Sequence, residues 1–149
     1  MTTLPPAIRR GQSTDLEPVI RLLEKAGLPT ADLRTIERLD VWVLELAGAL
    51  AGVVALERYG AEGLLRSLAV SPDHRKGGLG SRLVERLESE ARAEGIEQLV
   101  LLTETAERFF RDRGYQAIDR SHVSAQLQRS AEFRALCPAS AICMSKVLK

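Results

Sequence analysis

One stretch of the sequence, residues 68–81, restricts the fold more than any other. It consists of an apolar segment that ends at Ser71-Pro72, a basic loop rich in glycine, and the start of an amphipathic helix. A strand that passes through a short loop into a helix is the first half of a crossover to a neighbouring parallel strand. The stretch therefore predicts a sheet covered by a helix, with the glycine loop at their junction.

The loop within this stretch has the composition of an anion-binding site. Gly77, Gly78 and Gly80 leave several backbone N–H groups free to point at an oxyanion, and the following helix adds the positive end of its dipole. Arg75 and Lys76 add positive charge. A pyrophosphate suits this geometry, although the glycines alone would suit a flexible turn at a solvated helix entrance equally well.

Two common phosphate loops do not match the segment. A Walker loop ends in Gly-Lys followed by Ser or Thr, which the sequence lacks here. The dinucleotide-binding fingerprint needs glycine or alanine where Leu83 stands. The anion is therefore expected in a different structural context.

The periodicity on both sides of the loop predicts a mixed α/β (α+β) sheet with helices on both faces. Residues 41–46, 51–58 and 64–70 are apolar runs joined by short glycine turns, which predicts consecutive antiparallel strands. Apolar positions from Leu79 to Ala91 follow a helical stripe, and a strand at 99–102 completes the crossover. The other predicted elements are strands at 7–9, 121–127 and 141–147 and helices at 16–26, 30–38, 105–113 and 130–136.

Size and charge limit the function classes. The 149 residues, 45% of them hydrophobic, suffice for one core, so residues 1–149 are expected to form a single domain. A net charge of +1 and an aromatic content of 4% give no sign of a surface for nucleic acid or membrane. Cys137 and Cys143 lack the spacing of a zinc site, so free thiols and no metal are expected. The sequence shows neither a signal-peptide pattern nor a long apolar run, so a reducing cytoplasm is the expected location.

The order Arg75-x-x-Gly78-x-Gly80, after a strand that ends in Leu-Ala-Val-Ser-Pro, resembles the coenzyme A loop of the GCN5-related N-acetyltransferases (GNAT). The likeness continues in Ile8-Arg9-Arg10 with Asp15, in the hairpin at residues 45–53, and in Phe109-Phe110-x-x-x-Gly114-Tyr115. It implies the GNAT fold, a mostly antiparallel sheet of about six or seven strands with helices on both faces. It also implies an acetyl-CoA-dependent N-acetyltransferase that acts on a primary amine.

By the same resemblance, one set of residues would hold acetyl-CoA as the co-substrate. The main chain at residues 68–70 would bind the pantetheine arm like an added strand, and the loop would hold the pyrophosphate. The residues expected in this site are Leu68, Ala69, Val70, Arg75, Lys76, Gly77, Gly78, Leu79, Gly80 and Ser81.

Within the family, three further segments look like those of the arsenic-resistance N-acetyltransferase group: residues 64–70, residues 101–107 and Leu136-Cys137-Pro138-Ala139-Ser140-Ala141. The likeness implies a small anionic acceptor such as phosphinothricin or arsinothricin. A peptide, polyamine, aminoglycoside or ordinary amino acid stays open, because this fold combines one donor site with many acceptors. The resemblance also allows a homodimer through the final strand.

Direct transfer needs a group that takes a proton from the acceptor's ammonium. Glu57 is the first candidate, because it alternates with Ala55 and Val53 and would be a lone carboxylate beside the thioester. An exposed glutamate on an edge strand is the equal alternative. Glu104 is a second candidate, and His74 is expected to serve the coenzyme loop instead.

At one position the sequence departs from the family pattern. The helix before Gly114 often carries a tyrosine that protonates the leaving thiolate, but this chain has Phe110. Either Tyr115 or Tyr59 replaces it, or the thiolate leaves unprotonated, since a thiol pKa of about 8.5 makes it a tolerable leaving group. The departure also supports an alternative function, a non-catalytic sensor that binds acetyl-CoA.

An anionic acceptor would need a cationic clamp. Arg66 and Ser67 are expected on opposite faces of their strand, so that one of them reaches the substrate. Arg58 and Arg120 are further candidates, although a surface arginine without a partner explains each one as well. Cys137 is expected to be structural rather than an arsenic ligand.

Overall fold

The computed structural model describes residues 7–34, 39–136 and 139–148, with every side chain except those of residues 75–77 and 135–136. The strands are β1 (Ala7–Arg10), β2 (Leu39–Leu46), β3 (Ala49–Tyr59), β4 (Glu62–Val70), β5 (Gln98–Thr103), β6 (Gln116–Ala117) and β7 (Ile142–Val147). The α-helices are α1 (Leu16–Lys25), α2 (Leu79–Ala93), α3 (Glu107–Arg111) and α4 (Ala125–Gln128). Short 3-10 turns lie at Ser13–Asp15, Pro72–Gly77 and Arg120–His122, and a π-helical turn at Glu132–Leu136.

The strands form one seven-stranded sheet in the order β1-β2-β3-β4-β5-β7-β6. All neighbours are antiparallel except β4 and β5, which α2 connects as the crossover helix. The predicted mixed, mostly antiparallel sheet with a strand–helix–strand crossover is thus confirmed. The parallel pairing is short: it joins Glu62 to Gln98, Gly63 to Leu99 and Leu64 to Val100, and the strands diverge beyond it.

Helices cover both faces of this sheet, as the sequence predicted. On one face, α2 and α3 pack on a core that includes Trp42, Leu56 and Met144. On the other face, α1 packs on Val43 and Val53 of β2 and β3, whereas α4 packs on β4, β5 and β7. Among the described residues, no helix is long and apolar enough to cross a membrane.

Two predicted elements differ in the structure. Of the helix predicted at 30–38, residues 31–34 form a single turn, closed by the N–H of Leu33 to the carbonyl of Thr30 at 3.1 Å; residues 35–38 lie outside the described residues. The strand predicted at 121–127 is wrong, because a 3-10 turn and α4 occupy this segment. Asp119 and Ser124 accept hydrogen bonds from backbone N–H groups two and three residues later, which favours helical turns.

A β-bulge in β4 interrupts the sheet beside the crossover. Ser67 has a φ of +59°, and the register with β3 shifts at this point, from Ala55 opposite Arg66 to Val53 opposite Ala69. A bulge bends its strand and increases the local twist. The bulge and the short β4–β5 ladder together leave an opening between the two strands.

Candidate functional site

A cleft of about 1010 Å³ occupies the opening between β4 and β5. One wall is the β4 segment at 65–70, and the opposite wall is the end of β5 with residues 104–106 and the ring of Phe109. The first turn of α2 lines the cleft on one side. The loop after α1, at 26–31, and Glu132 line it as well.

The end of the cleft at α2 has the features of an anion site. Gly78 begins the helix with a φ of +72°, and a Cβ built on Gly80 would lie 3.4 Å from Cζ of Phe109. Arg113 stacks its guanidinium 3.7 Å from the centre of the Phe109 ring and donates from Nε to Oγ of Ser81 at 2.8 Å. An anion at this turn would meet free backbone N–H groups, a hydroxyl and a guanidinium.

The coenzyme residues predicted from the sequence divide into three groups. Leu79 turns into the core, and the segment 75–77 belongs to the 3-10 turn before α2, with side chains outside the described atoms. Nδ1 of His74 in this turn is buried, with no hydrogen-bond partner among the described residues. The others, which all line the cleft, are Leu68, Ala69, Val70, Gly78, Gly80 and Ser81.

This arrangement fits coenzyme A. Beyond Leu64, β4 is no longer paired with β5, so an extended pantetheine arm can lie along it as an added strand. The arm would run from the anion site at Gly78 and Ser81, past Val70, toward Arg66, over about 13 Å of β-strand. Its reactive end would then lie where β4 and β5 converge.

At that convergence lies a buried ionic cluster, here called the Arg66 cluster, which consists of Arg66, Asp32, Glu57, Glu132 and Tyr59. The Arg66 side chain has no exposed surface. Its Nη1 and Nη2 donate to Asp32 at 2.6 and 2.8 Å, and Nη1 also donates to Oε1 of Glu57 at 2.8 Å. Its Nε forms an ion pair with Glu132 at 3.4 Å, and the Tyr59 hydroxyl donates to Oε2 of Glu57.

The alternation of β3 and β4 places this cluster. Leu56 and Leu65 face α2, so Glu57 and Arg66 face the opposite side of the sheet. On that side the cores beneath α1 and α4 are separate. The ion-paired side chains of the Arg66 cluster thus lie between two apolar clusters, where burial requires that each charge has a partner.

The cluster holds more negative than positive charge, with one guanidinium and three carboxyl groups. Burial would lower the pKa of Arg66, but Asp32, Glu132 and Glu57 outweigh burial and raise it. Burial raises the pKa of Glu132 to about 7; the charge of Arg66 opposes this rise, and Glu57 and Asp32 add to it. Burial and the bond to Glu57 raise the pKa of Tyr59 above its usual range.

The structure changes the expected surroundings of two predicted residues. Glu57 is buried on a central strand, not exposed on an edge strand, and both of its carboxylate oxygens are engaged by Arg66 and Tyr59. The prediction that Arg66 and Ser67 face opposite sides is wrong. The bulge breaks the alternation, and Nε of Arg66 donates to Oγ of Ser67 at 3.2 Å.

The remaining candidates are dispersed. Arg58 forms ion pairs with Asp40 and Glu94 and is not among the described residues that line the cleft. Nη2 of Arg120 donates a hydrogen bond of 2.8 Å to the carbonyl of Ala141, and Ala141 lines the cleft. Glu104 is exposed at the rim. Of the cysteines, Cys137 lies outside the described residues, and burial raises the pKa of the free Cys143 thiol to about 11.

The aromatic side chains near the cleft include no tyrosine hydroxyl among its described lining residues. The ring of Phe110 lines the cleft and meets the rings of Phe109 and Tyr115 edge-on, with centroids 5.1 and 5.3 Å away. The Tyr115 hydroxyl points away and donates to Glu88 at 2.8 Å; burial and this carboxylate raise its pKa. The Tyr59 hydroxyl is committed to Glu57.

Sequence reasoning missed Asp32, Glu132 and Arg113. Asp32 and Glu132 meet Arg66 from distant segments, and no local pattern in the sequence indicates such pairs. Arg113 had a usable signal, since it follows Phe109 by four residues and such residues are neighbours on a helix.

Comparisons with known proteins show the family of this chain. The model of the acetyltransferase (GNAT) domain matches residues 37–117. An amino-acid acetyltransferase of Azotobacter vinelandii is 36% identical over 103 residues, which are 66% of this chain and 24% of that protein. The chain thus spans about a quarter of the length of such curated relatives.

Solved structures show the same fold. The N-acetylglutamate synthase from Neisseria gonorrhoeae, complexed with coenzyme A and N-acetyl-glutamate, superposes with a TM-score of 0.81 at 24% identity, over 98% of this chain and 36% of that one. Rv2747 from Mycobacterium tuberculosis, in a complex that contains CoA, gives a TM-score of 0.79 at 24% identity, over 96% of this chain and 99% of that one.

Proposed function

The chain belongs to the acetyltransferase (GNAT) family, and from this premise we propose that it transfers the acetyl group of acetyl-CoA to the amino group of a small amino acid. The observation that carries the proposal is the cleft between β4 and β5, which has a helix start suited to an anion at one end and a buried carboxylate cluster at the other. Relatives named amino-acid acetyltransferases support an amino acid as the acceptor.

Each end of the cleft has its own task in this proposal. Gly78, Gly80 and Ser81 bind the pyrophosphate, with Arg113 beside them, and the β4 backbone at 68–70 holds the pantetheine arm. The carboxylates of the Arg66 cluster attract the acceptor's ammonium. The acetyl group lies between the two sites, where Phe110 helps to exclude water.

The proposal extends to a phosphinothricin- or arsinothricin-like acceptor, as the resemblance to the arsenic-resistance group suggested. Arg66 is already neutralised by carboxylates, so the acceptor's anionic group needs another cation. Arg120 is the candidate, because its guanidinium contacts Ala141 at the cleft wall.

Phe110 has no hydroxyl group, so it cannot protonate the thiolate of the leaving coenzyme A. The tyrosines considered as replacements, Tyr115 and Tyr59, are bound to Glu88 and Glu57. In this proposal the thiolate therefore leaves without a protein proton donor, which a thiol pKa of about 8.5 permits.

The first experiment measures free-thiol release from acetyl-CoA with a panel of amines: phosphinothricin, arsinothricin, common amino acids, a polyamine, an aminoglycoside and a peptide. We expect release with one or more amino acids and an N-acetylated product of matching mass. Acetyl-CoA without amine is the control. If no amine causes thiol release although calorimetry shows that the protein binds acetyl-CoA, the result would favour the non-catalytic sensor.

A pair of variants tests the anion contact. Arg120→Gln should raise KM for an anionic amino acid by roughly tenfold, as the loss of one charged hydrogen bond implies, and leave KM for acetyl-CoA unchanged. Arg58→Gln is the matched control, since Arg58 is held by Asp40 and Glu94 outside the cleft lining. Equal effects of the two substitutions would contradict a specific role of Arg120.

A further inference from the structure

We infer that Glu132, and not Glu57, is the group that accepts the proton from the acceptor's ammonium. This assignment rests on the proposed acetyl transfer and adds a catalytic residue to it. Glu132 belongs to the π-helical turn at Glu132–Leu136, outside the loop and strands that the sequence motifs indicate.

The position of Glu132 is the first support. Its carboxylate pairs with Nε of Arg66, and both residues line the cleft at the end where β4 and β5 converge. That end is remote from the anion site at Gly78 and Ser81, so it receives the acetyl end of an extended donor. An amine that attacks there approaches Glu132.

The bonding of the three candidate carboxylates is the second support. Arg66 and Tyr59 engage both oxygens of Glu57, and Glu57 is not among the described residues that line the cleft. Glu104 lines the cleft but is exposed, so solvent water screens the charge of its carboxylate. Glu132 lines the cleft with a side chain 5% exposed, and its ion pair of 3.4 Å is longer than those of Arg66 with Asp32 and Glu57.

The charges around Glu132 suit a proton acceptor near neutral pH. Arg66 faces it from β4, Glu57 from β3 and Asp32 from the loop after α1. Burial raises the pKa of Glu132, the charge of Arg66 lowers it, and the carboxylates of Glu57 and Asp32 raise it further. The resulting pKa is about 7. A general base is most effective when its pKa lies near the working pH.

The chemical step balances with this assignment. Ionised Glu132 takes one proton from the ammonium, and the neutral amine nitrogen then forms a bond to the thioester carbonyl carbon. The carbon–sulfur bond breaks, with its electron pair left on sulfur. The second proton lost by the nitrogen ends on the departing thiolate, and Glu132 returns its own proton to solvent.

The test compares the pH dependence of kcat/KM in the wild type, Glu132→Gln, Glu57→Gln and Glu104→Gln, with the acceptor found by the amine panel. We expect the wild type to gain activity as pH rises through about 7, and Glu132→Gln to lose this rise and roughly a hundredfold in kcat. Glu57→Gln should keep the rise but move it to lower pH, because a neighbouring negative charge is gone. Glu24→Gln, exposed on α1, is the control for loss of one charge.

Two measurements separate catalysis from structure. Calorimetry should show that Glu132→Gln binds acetyl-CoA within about twofold of the wild type, since the substituted residue is remote from the anion site. A carbon-13 carboxyl titration by NMR should show one resonance, absent in Glu132→Gln, that titrates near pH 7 in the wild type.

The outcomes distinguish the inference from the proposed function. If Glu132→Gln keeps the wild-type rate and pH profile, or if its resonance titrates below about pH 5, the assignment is overturned while the proposed function stands. The assignment also fails if only Glu57→Gln or Glu104→Gln abolishes the rise. If the wild type acetylates no amine, the proposed function fails and the assignment fails with it.

Discussion

Glu132 shows how one buried carboxyl couples stability to pH. Its pKa is raised from 4.5 to about 7, chiefly by burial, so between these values the folded chain binds its proton and the unfolded chain does not. The contribution of Glu132 to stability must then fall as pH rises through this window and level off above about 7. A residue kept at such a cost is better explained by its chemistry than by its packing.

Glu132→Gln should therefore stabilise the protein at pH 8 and have little effect at pH 4.5. A pKa raised from 4.5 to about 7 corresponds to roughly 3–3.5 kcal/mol at most. Urea unfolding at several pH values, followed by the fluorescence of Trp42, measures this; Trp42 is the one tryptophan and is buried. A variant less stable than the wild type at pH 8 would contradict the raised pKa.

At the residue scale, the sequence predicted the two ends of the site unequally. Gly78, Gly80 and Ser81 line the cleft as predicted neighbours, because they follow one another along the chain at the start of one helix. Glu57 and Arg66 were predicted as site residues, but the other two carboxylates that pair with Arg66 were not. Asp32 and Glu132 meet it only through tertiary packing, which local patterns do not encode.

At the scale of elements, the bulge at Ser67 determines how the cleft opens. A non-glycine residue with a φ of +59° is strained by about 1–2 kcal/mol relative to glycine. The strain is retained where β4 must turn away from β5 after only three paired positions. Strand alternation predicted β4 correctly but not its bulge, because serine carries no signal for positive φ.

Substitutions at Ser67 test this interpretation. Ser67→Gly should keep the bulge and bind acetyl-CoA within a few-fold of the wild type, since glycine adopts positive φ freely. Ser67→Val should lose about 2–3 kcal/mol of stability and weaken acetyl-CoA binding at least tenfold, because a β-branched residue resists this conformation. Thermal unfolding and calorimetry measure both effects. Equal binding by the two variants would mean that the bulge does not shape the cleft.

The long elements were predicted, as were the short β1 and α3, but β6 and α4 were not. The strands β2 to β5 and the helix α2 have clear periodicity and bury their apolar faces in the expected way. The two residues of β6 are too few to show a pattern. In the region of α4, side-chain caps at Asp119 and Ser124 override an apolar pattern that resembles a strand.

At the scale of the whole molecule, the Arg66 cluster connects the segments that surround the acceptor end of the cleft. It links the loop after α1, strands β3 and β4, and the turn that carries Glu132. Removal of one partner from a buried ion pair is costly because the remaining charge stays buried. Arg66 is the single cation among three carboxylates, so its loss has the largest expected effect.

Arg66→Met should lower the free energy of unfolding by about 3–5 kcal/mol at pH 8. Arg58→Met is the matched control: it removes the same side chain from the partly exposed pairs with Asp40 and Glu94, and should cost about 1 kcal/mol or less. Urea unfolding gives both values. Similar losses in the two variants would show that the cluster adds little beyond surface pairing.

The positions of the Arg66 cluster residues along the chain also determine the order in which the parts of the site are synthesised. The turn and helix proposed to bind the coenzyme phosphates follow β4 immediately along the chain. Glu132, proposed to face the acceptor, is synthesised after every described strand except β7. During synthesis, the residues of the proposed donor site are therefore complete before the residue proposed to accept the proton of the amine.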